Sequence, residues 1–368
     1  MKILHLETGK HLYGGAKQVQ FIIEGLQQHG VHNVLCCPQD AAIGAECESM
    51  GIRTRYTKSA GDLDLKFLFQ LLKILKEEQP DLVHLHSRRG ADVLGALACH
   101  KRHIPCVLSR RVDNPEPQWL AKQKYKLYDH VITISEGIKN VLVGEGVPES
   151  HITCVRSAVK ADLYQSPKSK EAFNSEFNLT SENINIGIVA QLIYRKGHRY
   201  IFSSIQALAE KHPNIKLLVF GKGPLEEQLK ESAKKLKIES VIQFCGFRSD
   251  LSDWLGNLDI LVHPADMEGL GVSLVQTAAA GVPIIGSAAG GIPEIVRHNE
   301  NGFLIKPGDV SALTNFLQQL ITTPELRAQM GAHGKSIAEK EFSVDVMVQG
   351  NLNVYKSVLK KHNLGENQ

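Results

Sequence analysis

The segment PADMEGLGVSLVQTAAAGVPIIGSAAGGIPE, residues 264–294, indicates the fold more clearly than any other part of the chain. It follows the apolar run Leu258–His263, which predicts a buried strand, and leads through a glycine-containing turn into the helical run VSLVQTAAA. Glycines let the backbone of such a turn approach a ligand, and the helix N-terminus presents N–H groups and the positive end of its dipole. The segment therefore predicts a strand–turn–helix unit that binds a diphosphate.

Two polar side chains of this unit indicate that the ligand also carries a sugar. Glu268 is anionic like the phosphates, so its carboxylate is better suited to accept hydrogen bonds from sugar hydroxyls. Gln276 follows a little over two helical turns later, at about 3.6 residues per turn, and lies on roughly the same helix face. Its amide could reach a second group of the ligand, such as a ribose.

Short apolar runs alternate with helical patterns along the whole chain, which is typical of βαβ units with parallel sheets. The strand candidates form two series. The first series is Lys2–Leu6, Asn33–Cys37, Asp81–Leu85, Cys106–Ser109, His130–Ile134 and Ile152–Val155, and the second is Ile184–Val189, Lys216–Phe220, Val241–Cys245, Leu258–His263, Pro283–Gly286 and Gly302–Ile305.

The two series predict an α/β protein of two Rossmann-like domains whose parallel sheets face a central cleft. The polar stretch SPKSKEAFNSEFNLTSEN, Ser166–Asn183, is predicted to connect the domains. We therefore place the first domain at 1–165 and the second at 166–342. We expect the last helix, within 343–368, to pack back on the first domain.

Composition limits the functional class. With 368 residues and a formal charge of +3, the chain has no basic excess that would predict nucleic-acid binding. No apolar stretch is long enough to span a bilayer, and MKILHLETGKHLYGG does not resemble a signal peptide. The seven cysteines are odd in number and form no C-x-x-C, which is typical of reduced cysteines in a cytoplasmic protein.

Glycines and cations follow two of the predicted strands. Gly14 and Gly15 lie between the first strand and an amphipathic helix, where they form either a plain tight turn or part of a ligand site. Arg195 and Lys196 follow the strand Ile184–Val189. Adjacent cations at this position could neutralise a diphosphate, or they could belong to a solvated loop.

Candidate groups in the first domain also follow strands. Arg110 and Arg111 could bind an anionic acceptor or the donor phosphates, or form a surface pair without a ligand. We expect His84 and His86, which alternate along one strand, to point to opposite faces, so that at most one faces the cleft and the pair does not favour a zinc site. His86 lies nearer the strand end and is the better candidate for the site.

Three further patterns carry less functional weight. Asp62-Leu63-Asp64 has the D-x-D form that holds Mg²⁺ or Mn²⁺ in some sugar transferases, but it lies at a helix start, where Asp commonly caps. Gly221-Lys222-Gly223 lacks the third glycine of a dinucleotide fingerprint, which argues against a nicotinamide enzyme. The basic amphipathic run KFLFQLLKILK, residues 66–76, predicts a core-packing helix or a helix that touches an anionic membrane.

Taken in order, the motifs resemble glycosyltransferase family 4, the retaining enzymes of the GT-B fold, also described as glycosyl transferases group 1. The resemblance covers nearly the whole chain. It is carried by GG at 14–15, HLHS at 84–87, SRRVD at 109–113, ISEGIK at 134–139, KGH at 196–198, HP and EGLG within 263–271, GGIPE at 290–294 and NGFLIKPGD at 301–309.

The resemblance implies a role for each residue that matches a motif. Glu268 matches the first acid of the family's E-x7-E pattern and would contact hydroxyls of the donor sugar, while Lys196 would bind the diphosphate. Gly14 and Gly15 would line the donor side from the first domain. Amides for sugar and phosphate would come from Gly269, Leu270, Gly271 and Val272.

Three positions depart from the family pattern. The second acid of E-x7-E is Gln276, whose amide can accept a hydrogen bond but carries no charge. The arginine that commonly precedes K-G is Gln191, and Arg195 could compensate for it. The family's histidine after the fourth strand is replaced by Arg111. These departures affect donor identity and catalytic detail rather than the fold.

The resemblance implies a reaction and its partners. A nucleotide-sugar donor would lose its sugar, with retained configuration and without a metal or other cofactor, to a carbohydrate or glycolipid acceptor near His86 and Arg110. Cell-envelope polysaccharide and lipopolysaccharide are expected acceptors, with the protein in the cytoplasm or peripherally bound to the cytoplasmic face of the inner membrane. The alternatives are a nucleotide-sugar epimerase on the same fold and a non-catalytic nucleotide-sugar-binding protein.

Overall fold

The computed structural model describes residues 1–12, 14–58, 64–86 and 90–365. Its strands are β1 Lys2–Leu6, β2 His32–Pro38, β3 Arg53–Thr57, β4 Leu82–Leu85, β5 Cys106–Arg110, β6 His130–Thr133, β7 Ile152–Cys154, β8 Ile184–Val189, β9 Ile215–Phe220, β10 Ile242–Gly246, β11 Ile260–His263, β12 Ile284–Ser287 and β13 Gly302–Ile305.

The helices alternate with these strands. They are α1 Gly14–Gln28, α2 Ala42–Ser49, α3 Leu65–Glu78, α4 Ala91–Arg102, α5 Gln118–Lys124, α6 Glu136–Gly144, α7 Lys170–Glu176, α8 His198–Ala209, α9 Glu226–Lys235, α10 Leu251–Trp254, α11 Val272–Ala279, α12 Ile292–Ile295, α13 Val310–Thr322, α14 Pro324–Glu341 and α15 Val344–Gly365.

The chain forms two compact units, one of residues 1–158 and 344–368 and one of residues 159–343. The first unit contains a seven-stranded sheet in the order β3-β2-β1-β4-β5-β6-β7, and the second a six-stranded sheet in the order β10-β9-β8-β11-β12-β13. The paired strands are parallel in both sheets. The order reverses between β1 and β4 in the first sheet and between β8 and β11 in the second, as in doubly wound folds.

Strand β3 was absent from the predicted series. Its sequence RTRYT has no apolar run, and four of its five residues are exposed or half-buried, since it forms the edge of the first sheet. Its cations pair with the buried carboxylate of Glu78 at the end of α3, at 2.9 Å from Arg53 and 2.7 Å from Arg55. Ion pairing with a neighbouring helix therefore holds this strand where apolar burial does not.

The stretch 166–183 was wrongly predicted to connect the domains, because it folds as part of the second unit. It contains α7, from which Phe173 packs against Trp254 with ring centroids 6.4 Å apart. Phe177 lies 5.6 Å from the same ring. Two buried aromatic side chains anchor an otherwise polar segment, and the chain passes between units after Ala158, seven residues before the predicted boundary.

Helix α15 belongs to the first unit, although it follows the second unit in sequence. It packs against α1, where Gly25 makes room for Val348, and its Tyr355 is completely buried. Among the described residues no helix is both long and apolar enough to cross a bilayer. The seven cysteines, all within the described residues, form no disulfide, and five of them are buried.

Candidate active site

Lys196 and Glu268 follow β8 and β11, the two strands that flank the reversal of strand order in the second sheet. In open α/β sheets, ligands bind beyond the carboxyl ends of the strands at this reversal. The two β–α connections that the sequence singled out for a phosphorylated sugar are therefore neighbours in space.

Backbone contacts fix these two connections against each other. A Cβ on Gly197 would lie 2.0 Å from the carbonyl oxygen of Pro264, so this approach requires glycine, which also has φ +72°. The Asp266 N–H donates to the Arg195 carbonyl at 2.8 Å, and the Asp266 carboxylate accepts from Arg199 at 2.7 Å. Lys196 is consequently held beside the residues that carry Glu268.

The side chains of Lys196, Glu268 and His263 form one hydrogen-bonded cluster. The Lys196 ammonium lies 2.5 Å from Glu268 Oε2, and the His263 Nε2–H donates to the same oxygen at 2.7 Å. Lys196 is 8% exposed and His263, the last residue of β11, is 1% exposed. A single carboxylate oxygen thus accepts from two buried donors.

This cluster keeps Glu268 ionised. Burial opposes ionisation, but the hydrogen bonds and charges of His263 and Lys196 outweigh it and lower the pKa of Glu268 from 4.5 to about 2. Nearby His198 stays neutral, because burial and then the charges of His263 and Lys196 lower its pKa to about 4. At neutral pH the site therefore offers one carboxylate as an acceptor and one ammonium for an anion.

The turn that carries Glu268 is also fixed from the opposite side. The Gly291 N–H donates to the Glu268 carbonyl at 3.1 Å, and a Cβ on Gly290 would lie 1.8 Å from that oxygen. Helix α11 begins directly after this turn, with Gly271 as its N-terminal cap residue. Its first N–H groups, which have no acceptor within the helix, add to the positive potential at the turn.

Two of the three positions that depart from the family pattern lie in the second unit, and they differ in their surroundings. Gln276 lies on α11, half-buried, and its side chain hydrogen bonds with the half-buried Tyr164. Gln191 is exposed and follows β8. The amide of Gln276 is thus oriented by a tyrosine of its own unit, a partner that the sequence did not indicate.

In the first unit, Gly14 begins α1 and Gly15 lies over the Arg111 side chain, since a Cβ on Gly15 would be 3.7 Å from Arg111 Cδ. Arg111 follows β5. The structure therefore brings together the glycine turn after β1 and the cation that replaces the family's histidine.

A chain of hydrogen bonds extends from Arg111 into the core. Arg111 Nη2 lies 3.4 Å from His86 Nδ1, His86 Nε2 lies 3.1 Å from His5 Nδ1, and His5 Nε2 lies 3.1 Å from Asn33 Oδ1. A guanidinium only donates, so each histidine must accept at Nδ1 and donate from Nε2. Burial lowers the pKa of His5 to about 4 and that of His86 well below its ordinary value, which keeps both neutral. His86 thus positions Arg111.

The expectation that His84 and His86 point to opposite faces is wrong. Their ring centroids are 3.8 Å apart, because residues two positions apart in a strand lie on the same face. With His5 they form a buried cluster of metal-ligand type. However, His84 is bonded to Tyr355 at 2.5 Å and Ser109 at 2.8 Å, and the other rings are hydrogen bonded as described above. The donor set, next to a cationic arginine, does not fit a metal.

Two further candidates have structural partners. Arg110 is 2% exposed and donates to the carbonyls of Val112 and Asn114 in its own loop, so it holds that loop together. The Asp64 carboxylate accepts from the Lys66 N–H at 2.9 Å and caps α3, as the sequence indicated for Asp at this position. Asp62, the other half of the D-x-D pattern, lies outside the described residues.

Comparisons with known proteins agree with this architecture. Residues 13–163 match the profile of Glycosyltransferase Family 4, and residues 169–337 match that of Glycosyl transferases group 1. The chain is 27% identical to the putative glycosyltransferase EpsD of Bacillus subtilis, over 79% of this chain and 80% of EpsD. It is 24% identical to the capsular polysaccharide biosynthesis glycosyltransferase CapM of Staphylococcus aureus, over 81% of this chain and 82% of CapM.

The fold is also that of a solved structure. HepE of Anabaena in complex with UDP superposes with a TM-score of 0.86 at 21% identity, covering 97% of this chain and all of HepE. The chain belongs to glycosyltransferase family 4. The predicted fold class, α/β with two Rossmann-like domains of the GT-B type, is confirmed.

Sequence reasoning missed several residues that shape the site. His263 and Gly290 lay within quoted motifs but received no role, although His263 ends the strand before Glu268 and a pair of glycines before a helix is a close-approach signal. Tyr164 and His5 gave no signal, since each contacts its partner across more than 80 residues of sequence.

Proposed function

We propose that this glycosyltransferase transfers a sugar, with retained anomeric configuration and without a metal, from a nucleotide-sugar donor to an acceptor hydroxyl. The observation that carries the proposal is the buried Lys196–Glu268–His263 cluster beside the N-terminus of α11. It supplies a cation for the diphosphate and an ionised carboxylate for sugar hydroxyls at the place where α/β sheets bind nucleotides.

In the proposed mechanism the diphosphate is the leaving group. Lys196, assisted by Arg195, stabilises its developing charge while the acceptor hydroxyl attacks the same face of the sugar. Glu268 orients the sugar, Gln276 reaches the ribose from its contact with Tyr164, and the backbone N–H groups contact the phosphates and sugar. These groups belong to Gly269, Leu270, Gly271 and Val272.

Further donor contacts come from Gln191 in the second unit and from Gly14, Gly15 and Arg111 in the first. Arg111 carries a positive charge in a half-buried position and is oriented by His86. For Arg110 the buried contacts within its loop favour a structural role over an acceptor contact. His86 likewise acts through Arg111 rather than on the acceptor itself.

The acceptor is proposed to be a cell-envelope polysaccharide, lipopolysaccharide or glycolipid. This proposal is supported by CapM, whose name places it in capsular polysaccharide biosynthesis. HepE, which was solved with UDP and with UDP-glucose, supports a nucleotide-sugar donor. The reaction is proposed to take place in the cytoplasm or at the cytoplasmic face of the inner membrane.

The first test is a thermal-shift screen of UDP-, GDP-, ADP- and CMP-linked sugars without added metal, because a ligand that binds only the folded state raises its stability. The donor that shifts the protein is then incubated with candidate acceptors in EDTA, and NMR of the product gives its anomeric configuration. We expect a retained configuration, activity in EDTA, and a loss of about 100-fold or more in kcat for Lys196→Ala.

Other results would favour the alternative functions. Epimerised free nucleotide sugar would indicate an epimerase, and donor binding without turnover on any acceptor would indicate a binding protein. An inverted product, or activity that is abolished by EDTA and restored by a divalent cation, would contradict the proposed mechanism. Unchanged activity of Lys196→Ala would contradict the role assigned to Lys196.

A further inference from the structure

The ammonium of Lys196 is paired with a carboxylate. Its ammonium lies 2.5 Å from Glu268 Oε2, and the two side chains are only 11% and 14% exposed. The proposed function requires the same ammonium to bind the donor diphosphate. A diphosphate must therefore draw Lys196 away from Glu268, and the apparent affinity falls with the fraction of protein in which Lys196 is available.

Two kinds of ligand differ in whether they offer Glu268 a hydrogen-bond donor that replaces the Lys196 ammonium. A nucleoside diphosphate brings phosphate oxygens for Lys196 but no donor at the sugar position, so a buried carboxylate loses one partner beside a new anion. A nucleotide sugar brings hydroxyls, which can donate to the vacated carboxylate. Leaving a buried charge without a partner is costly, whereas replacing its partner is not.

His263 makes this exchange feasible. It donates to Glu268 Oε2 independently of Lys196, from a position fixed at the end of β11. When Lys196 moves to the phosphates, His263 still holds the carboxylate in place and supports its ionised form. Glu268 therefore remains an acceptor for sugar hydroxyls throughout the exchange.

We propose that the Lys196–Glu268 ion pair couples sugar recognition to diphosphate binding, so that the site favours the intact nucleotide sugar over the nucleoside diphosphate without sugar. This inference rests on the proposed function and deepens its donor site. One consequence is that Glu268 opposes binding of the sugar-free nucleotide. Its removal should tighten that binding, although the same change removes a contact to the donor sugar.

The experiment is a double-mutant cycle measured by isothermal titration calorimetry. Wild-type protein is titrated with UDP, GDP, ADP and CDP, and the tightest of these is used for Glu268→Gln, Lys196→Met and the double variant. Exposed Glu231→Gln on α9 is the matched control for loss of one negative charge. Glu268→Ala, which removes the acceptor altogether, is a second variant in case the glutamine variant does not fold.

We expect Glu268→Gln to bind the nucleoside diphosphate about tenfold more tightly than wild type, as close charge pairs commonly couple by this much or more. In the Lys196→Met background the same change should give little gain, and Glu231→Gln should give none. An equal gain with and without Lys196 would mean simple repulsion between Glu268 and the anion and would overturn the inference.

The remaining outcomes separate the inference from the proposed function. Unchanged or weaker binding by Glu268→Gln, with normal binding by wild type, would overturn the coupling and leave the glycosyl-transfer proposal intact. If wild-type protein binds neither these nucleotides nor any nucleotide sugar of the thermal-shift screen, the proposed donor site fails and the coupling fails with it.

Discussion

Replacing His263 should raise the pKa of Glu268. His263→Phe keeps the volume of the ring but removes the donor 2.7 Å from Glu268 Oε2, whereas His263→Gln keeps a donor of similar reach. Burial alone would raise the pKa of this carboxyl, so the lowering of its pKa depends on its partners. We expect the phenylalanine variant to lose the lowering and the glutamine variant to retain part of it.

The size of the expected pKa change follows from the contributions of burial, His263 and Lys196 to the pKa of Glu268. The fall in pKa from 4.5 to about 2 corresponds to about 3 kcal/mol in favour of the ionised form, at roughly 1.4 kcal/mol per pKa unit. The contributions of His263 exceed those of Lys196, so at least half of the lowering belongs to His263. Because burial itself raises this pKa, His263→Phe should shift the pKa of Glu268 back toward its ordinary value of 4.5.

The direction in which stability changes with pH follows from the lowered pKa of Glu268. Because the pKa of Glu268 is lower in the folded state, its ionisation stabilises the protein above about pH 4.5, and this stabilisation is lost as the pH falls toward 2. Part of it should be missing in His263→Phe at neutral pH. The difference in stability between wild type and variant should shrink as the pH falls below 4.5.

The assay is a ¹³C NMR titration of labelled glutamate carboxyls between pH 7 and pH 4, with the Glu268 signal assigned by its absence in Glu268→Gln. The wild-type signal should stay at its ionised position over this range, while that of His263→Phe should be partly protonated near pH 4.5. Identical titration in both proteins would refute the reasoning, and it would do so without reference to any enzymatic activity.

Two further predictions concern the packing around the site and in the first unit. Gly290→Ala should cost about 1–3 kcal/mol of stability and lower kcat/KM, because its Cβ would lie 1.8 Å from the Glu268 carbonyl oxygen. Gly144→Ala is the control. Its Cβ would have nothing within 4 Å, so both measurements should stay unchanged. Tyr355→Phe should lower the free energy of unfolding, measured with urea, by about 1–3 kcal/mol, because it leaves the buried Nδ1 of His84 without its partner at 2.5 Å. An unchanged unfolding midpoint would contradict the hydrogen bond between these two side chains.

The sequence predicted the apolar strands of both sheets because parallel strands, covered on both faces, must be apolar throughout. The same rule could not find β3, an edge strand held by ion pairs with Glu78, or recognise α7, which lies in a polar segment whose buried aromatic residues are Phe173 and Phe177. Hydrophobic periodicity reports burial by apolar residues. It gives no signal where ion pairs or a few aromatic rings stabilise a strand or helix.

The site was predictable where a local motif supplied the chemistry. Glu268 and Lys196 follow strands and precede helices, so their positions beyond β11 and β8 could be predicted from sequence alone. Their direct contact could not, because it depends on β8 and β11 being neighbours across the reversal of strand order. The hydrogen bonds that link Arg111, His86 and His5 could not be predicted for the same reason, since they cross three parallel strands that are distant in sequence.

The electrostatics of the second unit explain why these contacts matter together. A buried lysine beside the N-terminus of α11 would place an unbalanced positive charge in a site from which water is largely excluded, at a considerable cost. Glu268 balances that charge, and in the proposed reaction His263 keeps Glu268 ionised when Lys196 is drawn to a phosphate. The same three side chains can thus stabilise the ligand-free fold and, in the proposed reaction, admit an anion whose attached sugar replaces the contact that Lys196 gives up.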